Sequence, residues 1–301
     1  MRPRPLRAPG RRRFWRLGAG LLLLANWPGA ASEVAPAEAP IGVFVSILPQ
    51  KYFVERVGRE RVAVSVMVGP GRSPETYEPT PSQLSRLARA SIYFTISVEF
   101  EKVWMERIAA ANRAMRVVDM RRGIAARALE TGERAAGQAR LVDPHVWTSP
   151  PLAKVLAANA RDALSQLDPA HREAYEANFA ACAADLDRLD AEIRTLLEGA
   201  RSRSFMVFHP AWGYFADTYG LAQIPIEAAG KEPGARALAR AIEIGRREHV
   251  KVIFVQSQFS RRPAETVAQA IGARVIAVDP LAEDYTDNLR QVARQFAQAL
   301  Q

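Results

Sequence analysis

A chain of 301 residues with 49% hydrophobic and 24% charged residues carries enough apolar material for ordinary globular cores, and its length suggests about two domains. The net charge of +9 points at first to a nucleic-acid or membrane-surface partner. Seven of the arginines (Arg2, Arg4, Arg7, Arg11, Arg12, Arg13 and Arg16) fall within residues 1–31, however, and that stretch contains no acid; a chain starting near Ser32 keeps only +2, so a nucleic-acid partner is excluded. The arginines run into the apolar stretch Leu17 to Ala25 and then into Gly29, Ala30 and Ala31. A basic segment, a short apolar segment and small residues, in that order, are the grammar of a secretory signal, here expected to be cleaved near Ala31. A membrane anchor needs about 20 apolar residues, and this run is far shorter. Arg11-Arg12-Arg13-Phe14 also resembles a twin-arginine signal, a string that any arginine-rich leader produces readily, so both export routes stay open. No cysteine lies near the cleavage site, and no lipid anchor is expected.

A Pro/Ala/Glu tail, residues 32–40, precedes the first regular pattern. Strands are then predicted at Ile41 to Ile47, Val62 to Val68, Ile92 to Ser97 and Val117 to Met120, with helices at Gln50 to Val57, Ser82 to Arg89, Val103 to Ala111 and Pro151 to Leu167. Continuous Val/Ile runs, rather than alternating ones, are what strands covered on both faces look like, so the sheet is expected to be mostly parallel. The second half repeats this order. Strands are predicted at Phe205 to Phe208, Ile224 to Glu227, Val250 to Gln256 and Arg274 to Val278, and helices at Ala211 to Tyr219, Ala235 to Glu248, Pro263 to Ile271 and Asn288 to Leu300.

Between the halves lies Pro169 to Gly199, without an internal Gly or Pro. Asp168 is placed to cap its start and Gly199 stands near its stop. Tyr175, Phe179, Leu186, Leu189, Ile193, Leu196 and Leu197 recur mostly at three- and four-residue spacing, which gathers them on one stripe. The fold class expected is therefore α/β, two (β/α) lobes joined by one long backbone helix, divided as 1–31 signal, 32–40 tail, 41–167 first lobe, 168–200 linking helix and 201–301 second lobe. The single cysteine, Cys182, sits in this helix among alanines and is expected to be a small buried apolar side chain.

Only four histidines occur. His209 directly follows a predicted strand, the place where ligands of open α/β sheets collect. His145 stands in Asp143-Pro144-His145-Val146-Trp147, with an acid two residues away that can orient its ring. Asp279 closes a predicted strand before Pro280, and Glu75 lies in the Gly/Pro-rich loop Gly69 to Tyr77. Each residue has an ordinary alternative: a strand-end histidine can be structural, and Glu75 or Asp279 can be a loop carboxylate or a helix cap. His171 reads as solvated surface, and His249 as a residue tidying a helix end.

Four strings in order, "GRSPETYEPTPSQL", "DPHVWTSP", "HPAWGYFADTYGL" and "VDPLAEDYTDNL", resemble the motifs of the zinc and manganese receptors of ABC importers (the TroA superfamily), closest to the zinc-receptor, ZnuA-like branch. The resemblance spans about Ile41 to Leu300. It implies two (β/α) lobes bridged by a long helix, with one divalent metal ion held between them by Glu75, His145, His209 and Asp279. His145, His209 and Asp279 match that family's ligands in type, whereas Glu75 stands where the zinc receptors usually have histidine. Two imidazoles and two carboxylates suit zinc, which the motif wording favours, while the oxygen content leans toward manganese or ferrous iron. Residues 121–142 contain no histidine, so the His-rich loop of many zinc receptors is missing.

By this resemblance the protein is a periplasmic, monomeric metal receptor that is not an enzyme and that delivers its ion to the membrane permease of an ABC transporter. Two rivals remain. A receptor for a metal chelate needs a wide cleft, and a secreted metallohydrolase needs an open coordination position and a base, for which Glu78 and Glu232 are the nearest acids.

Overall fold

The computed structural model describes residues 39–130, 141–227 and 232–301. The expected signal segment lies outside the described residues, as does most of the tail. In the first half, β1 (Ile41–Ile47), α1 (Leu48–Gly58), β2 (Val62–Val68), α2 (Pro81–Leu87), β3 (Ile92–Thr95), α3 (Glu99–Ala111) and β4 (Arg116–Asp119) alternate and lead into α4 (Pro150–Leu167). The second half opens with α5 (Arg172–Leu197) and continues through β5 (Ser204–Val207), α6 (Gly213–Tyr219), β6 (Ala222–Pro225), α7 (Ala235–Arg247), β7 (Val252–Val255), α8 (Arg262–Ile271), β8 (Arg274–Ala277) and α9 (Tyr285–Ala299).

The strands form two four-stranded sheets, ordered β2-β1-β3-β4 and β6-β5-β7-β8, and every pairing is parallel. The two lobes thus repeat one topology. In each, the chain direction across the sheet reverses beside the first strand of the lobe, between β1 and β3 or between β5 and β7. Loops leaving these carboxyl ends diverge and open a crevice, the place where ligands of open α/β sheets bind.

Local chemistry sets the element ends. The Thr80 hydroxyl accepts from the Gln83 N–H while the Gln83 amide oxygen accepts from the Thr80 N–H, a reciprocal cap that starts α2 at Pro81. β3 stops at Thr95, two residues before the predicted end, because the Glu101 carboxylate takes the Ile96 and Ser97 N–H groups at 2.9 and 2.7 Å. His249 does finish a helix end: it follows α7 with φ of 52° and donates its backbone N–H to Arg246.

One apolar core runs from the first sheet through α4 and α5 to the face of the second sheet that carries Phe205 and Phe254, where both rings meet Phe296 of α9. Of the predicted stripe on α5, Tyr175, Leu186, Leu189, Ile193 and Leu197 are buried while Phe179 and Leu196 are half-buried, and Cys182 is buried as expected. Each fully buried Leu or Ile there contributes roughly 1.5–3 kcal/mol. A smaller cluster, including Met206, Phe208 and Ile253, covers the opposite face of the second sheet. The start of the spine differs from expectation. Pro169–His171 forms a separate 3-10 turn, and the α-helix proper is 26 residues, about 39 Å long. Asp168 makes no side-chain cap; its carboxylate instead accepts from Arg61, Tyr175 and His171. His171 is correspondingly half-buried rather than solvated.

Candidate metal centre

His209 is the second residue beyond β5, at the reversal point of the second sheet. Gln256, just beyond neighbouring β7, fixes its backbone from both sides, accepting from the His209 N–H and donating to the His209 C=O at 2.9 Å. The ring stacks on Phe259, with centroids 4.9 Å apart. Its Nδ1 meets the buried Glu227 carboxylate at 2.7 Å. His145 arrives from the first half, at the start of a 3-10 turn over Val146–Thr148. The buried Asp143 Oδ1 accepts from its backbone N–H at 2.9 Å and contacts its Nδ1 at 2.8 Å, as the two-residue spacing suggested. The adjacent Trp147 ties this turn to the second lobe, its Nε1–H donating to Pro280 and its C=O accepting from Tyr285, both at 2.7 Å.

An imidazole whose Nδ1 donates to a carboxylate presents, when neutral, an unprotonated Nε2. The Nε2 atoms of His145 and His209 stand 3.2 Å apart, and Glu75 Oε1 stands 3.0 Å from His209 Nε2. Glu75 reaches that point from the loop between β2 and α2, where Pro74 C=O accepts from Phe100 N–H and the Ser73 hydroxyl donates to Glu75 Oε2 and accepts from the Glu75 N–H. Acceptors set at such distances on either side of His209 Nε2 have no attractive arrangement except around a cation or a proton. With metal–ligand bonds of about 2.0–2.1 Å, the edge of a tetrahedron is about 3.3–3.4 Å, close to the two separations observed.

The electrostatics agree. Burial raises Glu75 above the ordinary carboxylate range against the opposing pull of both imidazoles. Burial by itself would lower His209, but Glu227 and Glu75 outweigh it and hold the ring above its usual value. Burial also works against the Asp143 charge, yet His145 and Arg127 keep that carboxyl below its ordinary range. Carboxylates thus flank both imidazoles, Glu227 and Glu75 on His209 and Asp143 on His145.

Of the four residues singled out in the sequence, the structure gathers Glu75, His145 and His209 against one cavity of about 320 Å³. Asp279 is not gathered with them. Its Oδ1 accepts from Gln258 Nε2 at 3.0 Å and from Leu281 N–H at 2.8 Å, and it lines a separate cavity with Val278 and Asn288. Sequence reasoning missed Glu227. Glu75, His209 and Glu227 offer ligand atoms within 4.8 Å of one another, but Glu227 lies behind the ring on Nδ1, the position of an orienting partner. Its signal was available, since it is an acid closing a predicted strand just as Asp279 does.

Two parallel α/β lobes on a shared helix, closing on a preset cluster of imidazoles and carboxylate, define the class: a two-lobed metal-binding receptor of the solute-binding kind. The family model described as "Zinc-uptake complex component A periplasmic" matches residues 43–299, and the chain belongs to this family, ZnuA. Among its relatives, the high-affinity zinc uptake system protein ZnuA of Bacillus subtilis (strain 168) is 28% identical over 276 residues, covering 87% of this chain and 86% of that one. A crystal structure of ZnuA superposes with a TM-score of 0.82 at 42% identity, covering 87% of this chain and all of the other. A ZnuA 138-173 deletion mutant plus zinc bound superposes with a TM-score of 0.80, also at 42% identity, over 87% of this chain and 98% of that one. Among the described residues no helix is long and apolar enough to cross a membrane.

Proposed function

We propose that this protein captures one divalent transition-metal ion in the cleft, zinc ahead of manganese or ferrous iron, and delivers it in the periplasm to the permease of an ABC importer. The observation that carries the reading is the convergence of His145 Nε2, His209 Nε2 and Glu75 Oε1, drawn from both halves of the chain, with each imidazole's far nitrogen already engaged. In the proposed loaded state Asp279 becomes the fourth ligand, its carboxylate leaving Gln258 as the ion enters. The preference for zinc rests on the two nitrogen donors and on the similarity to zinc-uptake proteins. The protein acts as a monomer, with 41–167 and 201–301 as its lobes and 168–200 as the link, after removal of the amino-terminal signal. The ion is cargo, so the reading is a receptor and not an enzyme.

Elemental analysis and calorimetry with zinc, on the wild type and on Glu75→Ala and His209→Ala, test this. Stoichiometric metal in the wild type and its loss in the variants is the expected result; full retention in both variants would overturn the site. A receptor for a small chelate is the second reading, favoured by the apolar wall of the cavity at Leu129, Leu141, Trp147, Phe259 and Leu281. Saturation by the bare ion, with no gain from added small chelators, decides against it.

A further inference from the structure

Arg127 lies in the segment between β4 and His145 that sequence reasoning noted only for its lack of histidine. Its backbone is paired with the approach to the metal centre, since the Arg127 C=O accepts from Asp143 N–H at 2.9 Å. Its side chain, only 14% exposed, crosses to α6 of the second lobe. There Nε and Nη2 grip the two carboxylate oxygens of Asp217 at 2.8 and 3.3 Å, and Nη2 also reaches Glu130 at 2.8 Å. Tyr214, also on α6, accepts from the Arg127 N–H at 3.1 Å and donates to Ala125. The remaining arm, Nη1, lies 3.1 Å from Oδ2 of the fully buried Asp143, whose other oxygen holds His145.

Gly213 makes this crossing possible. A Cβ at that position would stand 1.8 Å from Arg127 Nη1 and 2.7 Å from Asp143 Oδ2, so only a glycine at the start of α6 leaves the guanidinium its path. The lane has one occupant and joins three things: the second lobe, the buried carboxylate and, through it, the ring of His145.

We infer that Arg127 is a positioning residue that ties the hold on the metal to closure of the lobes. This rests on the receptor reading above and extends it to release. While the lobes are closed, Asp217 and Tyr214 keep the guanidinium against Asp143, and Asp143 keeps His145 Nε2 aimed at the ion. Drawing α6 away from residues 124–130 removes that support, and Asp143 is left as a buried charge whose counter-ion has gone, free to turn with its imidazole. Outer partners of metal-bound histidines typically affect affinity by about 10–100-fold, and this one is controlled from across the seam.

Zinc is the probe. Its dissociation from the full-length protein into excess chelator, followed by stopped flow, should be about tenfold or more faster in Arg127→Met and a few-fold faster in Asp217→Asn, because Asp217 is 59% exposed and water screens its pairing. The association rate should stay unchanged. Arg127→Lys, able to reach one acid but not to fork both, should fall between wild type and Arg127→Met. Gly213→Ala should reproduce the faster release with every charge in place. In Arg127→Met, adding Asp217→Asn should have no further effect, a non-additivity that general weakening of the fold would not produce. Melting temperatures of the metal-free variants within a few degrees of wild type establish that they fold. If His145→Ala abolishes zinc binding while Arg127→Met and Asp217→Asn release zinc at the wild-type rate, the receptor reading stands and the clamp is overturned. Additive effects in the double variant overturn it as well.

Discussion

The two lobes share one strand order but hold their metal-facing side chains by different means. In the second lobe, His209 follows a central strand by two residues, and Glu227 and Gln256 stand at the ends of the strands on either side, so ring, orienting acid and backbone clamp are all fixed by one sheet. In the first lobe, Glu75 and His145 sit in long connections and are aimed by contacts outside their own strands. Pro74 depends on the start of α3, and His145 depends on Asp143, Trp147 and the second lobe beyond them. A site built this way has a fixed half and an adjustable half. The second lobe holds its histidine by contacts within one sheet, and the first lobe holds its side chains by contacts that cross to other elements.

The largest expected effect comes from removing the fixed half. His209→Ala should weaken zinc binding by more than about 100-fold, beyond the range typical of an outer partner, as measured by competition with a chelator of known affinity. Glu227→Gln keeps the ring but weakens its hold, and about 10–100-fold is expected. Should Glu227→Gln bind zinc like wild type while Asp143→Asn does not, the assignment of the rigid half to the second lobe would be reversed.

How much of this was legible follows the same division. His209 and the Asp143–His145 pair could be read because strand ends and two-residue spacings are local features. The two sheets could be read because buried parallel strands appear as unbroken Val/Ile runs. Asp168 was expected as a helix cap, but Arg61, from more than a hundred residues earlier, competes for its carboxylate. Asp279 was expected among the ligands, and its orientation in the structure is decided by Gln258 and the Leu281 N–H. Arg127 gave no signal, because Asp217 is ninety residues away in sequence and the gap at Gly213 exists only in three dimensions. What the sequence withheld was the outer layer of support, which is assembled by tertiary contact.

A smaller effect concerns the support of the Glu75 loop. Glu101 accepts from the Ile96 and Ser97 amides and from the Ser46 hydroxyl, holding the turn into α3 whose Phe100 N–H in turn holds Pro74. Burial pushes this carboxyl up to about 7 despite those donors. Because its folded value lies above the unfolded one, the neutral form is favoured in the fold. Its stabilising contribution is complete below about pH 4.5 and is lost as pH rises from there through about 7, on the order of 3 kcal/mol. Glu101→Gln stays neutral throughout, so the urea midpoint of the metal-free variant should gain on that of the wild type across this window. A constant difference between the two would mean that Glu101 ionises at its ordinary value and that the adjustable lobe does not soften toward neutral pH.

The smallest effect bears on which ion the adjustable half prefers. Glu75 brings oxygen and charge to a point where zinc receptors usually bring a third imidazole. Replacing it by histidine keeps the loop's backbone contacts, Glu75 N–H to the Ser73 hydroxyl and Phe100 N–H to Pro74, and lets the loop present a nitrogen from the same position. Since nitrogen suits zinc and carboxylate oxygen suits manganese, Glu75→His should raise the zinc-to-manganese affinity ratio by a few-fold, mainly by weakening manganese. The histidine also removes one negative charge from a buried site, and this lowers attraction for both divalent ions about equally, so the ratio is the quantity to measure and not either affinity alone. Paired titrations of the same preparation with each ion provide it. An unchanged ratio would mean that the second lobe, through His209 and its fixed surroundings, sets the choice of metal as well as the position of its donor, and that the adjustable half governs only how the ion enters and leaves.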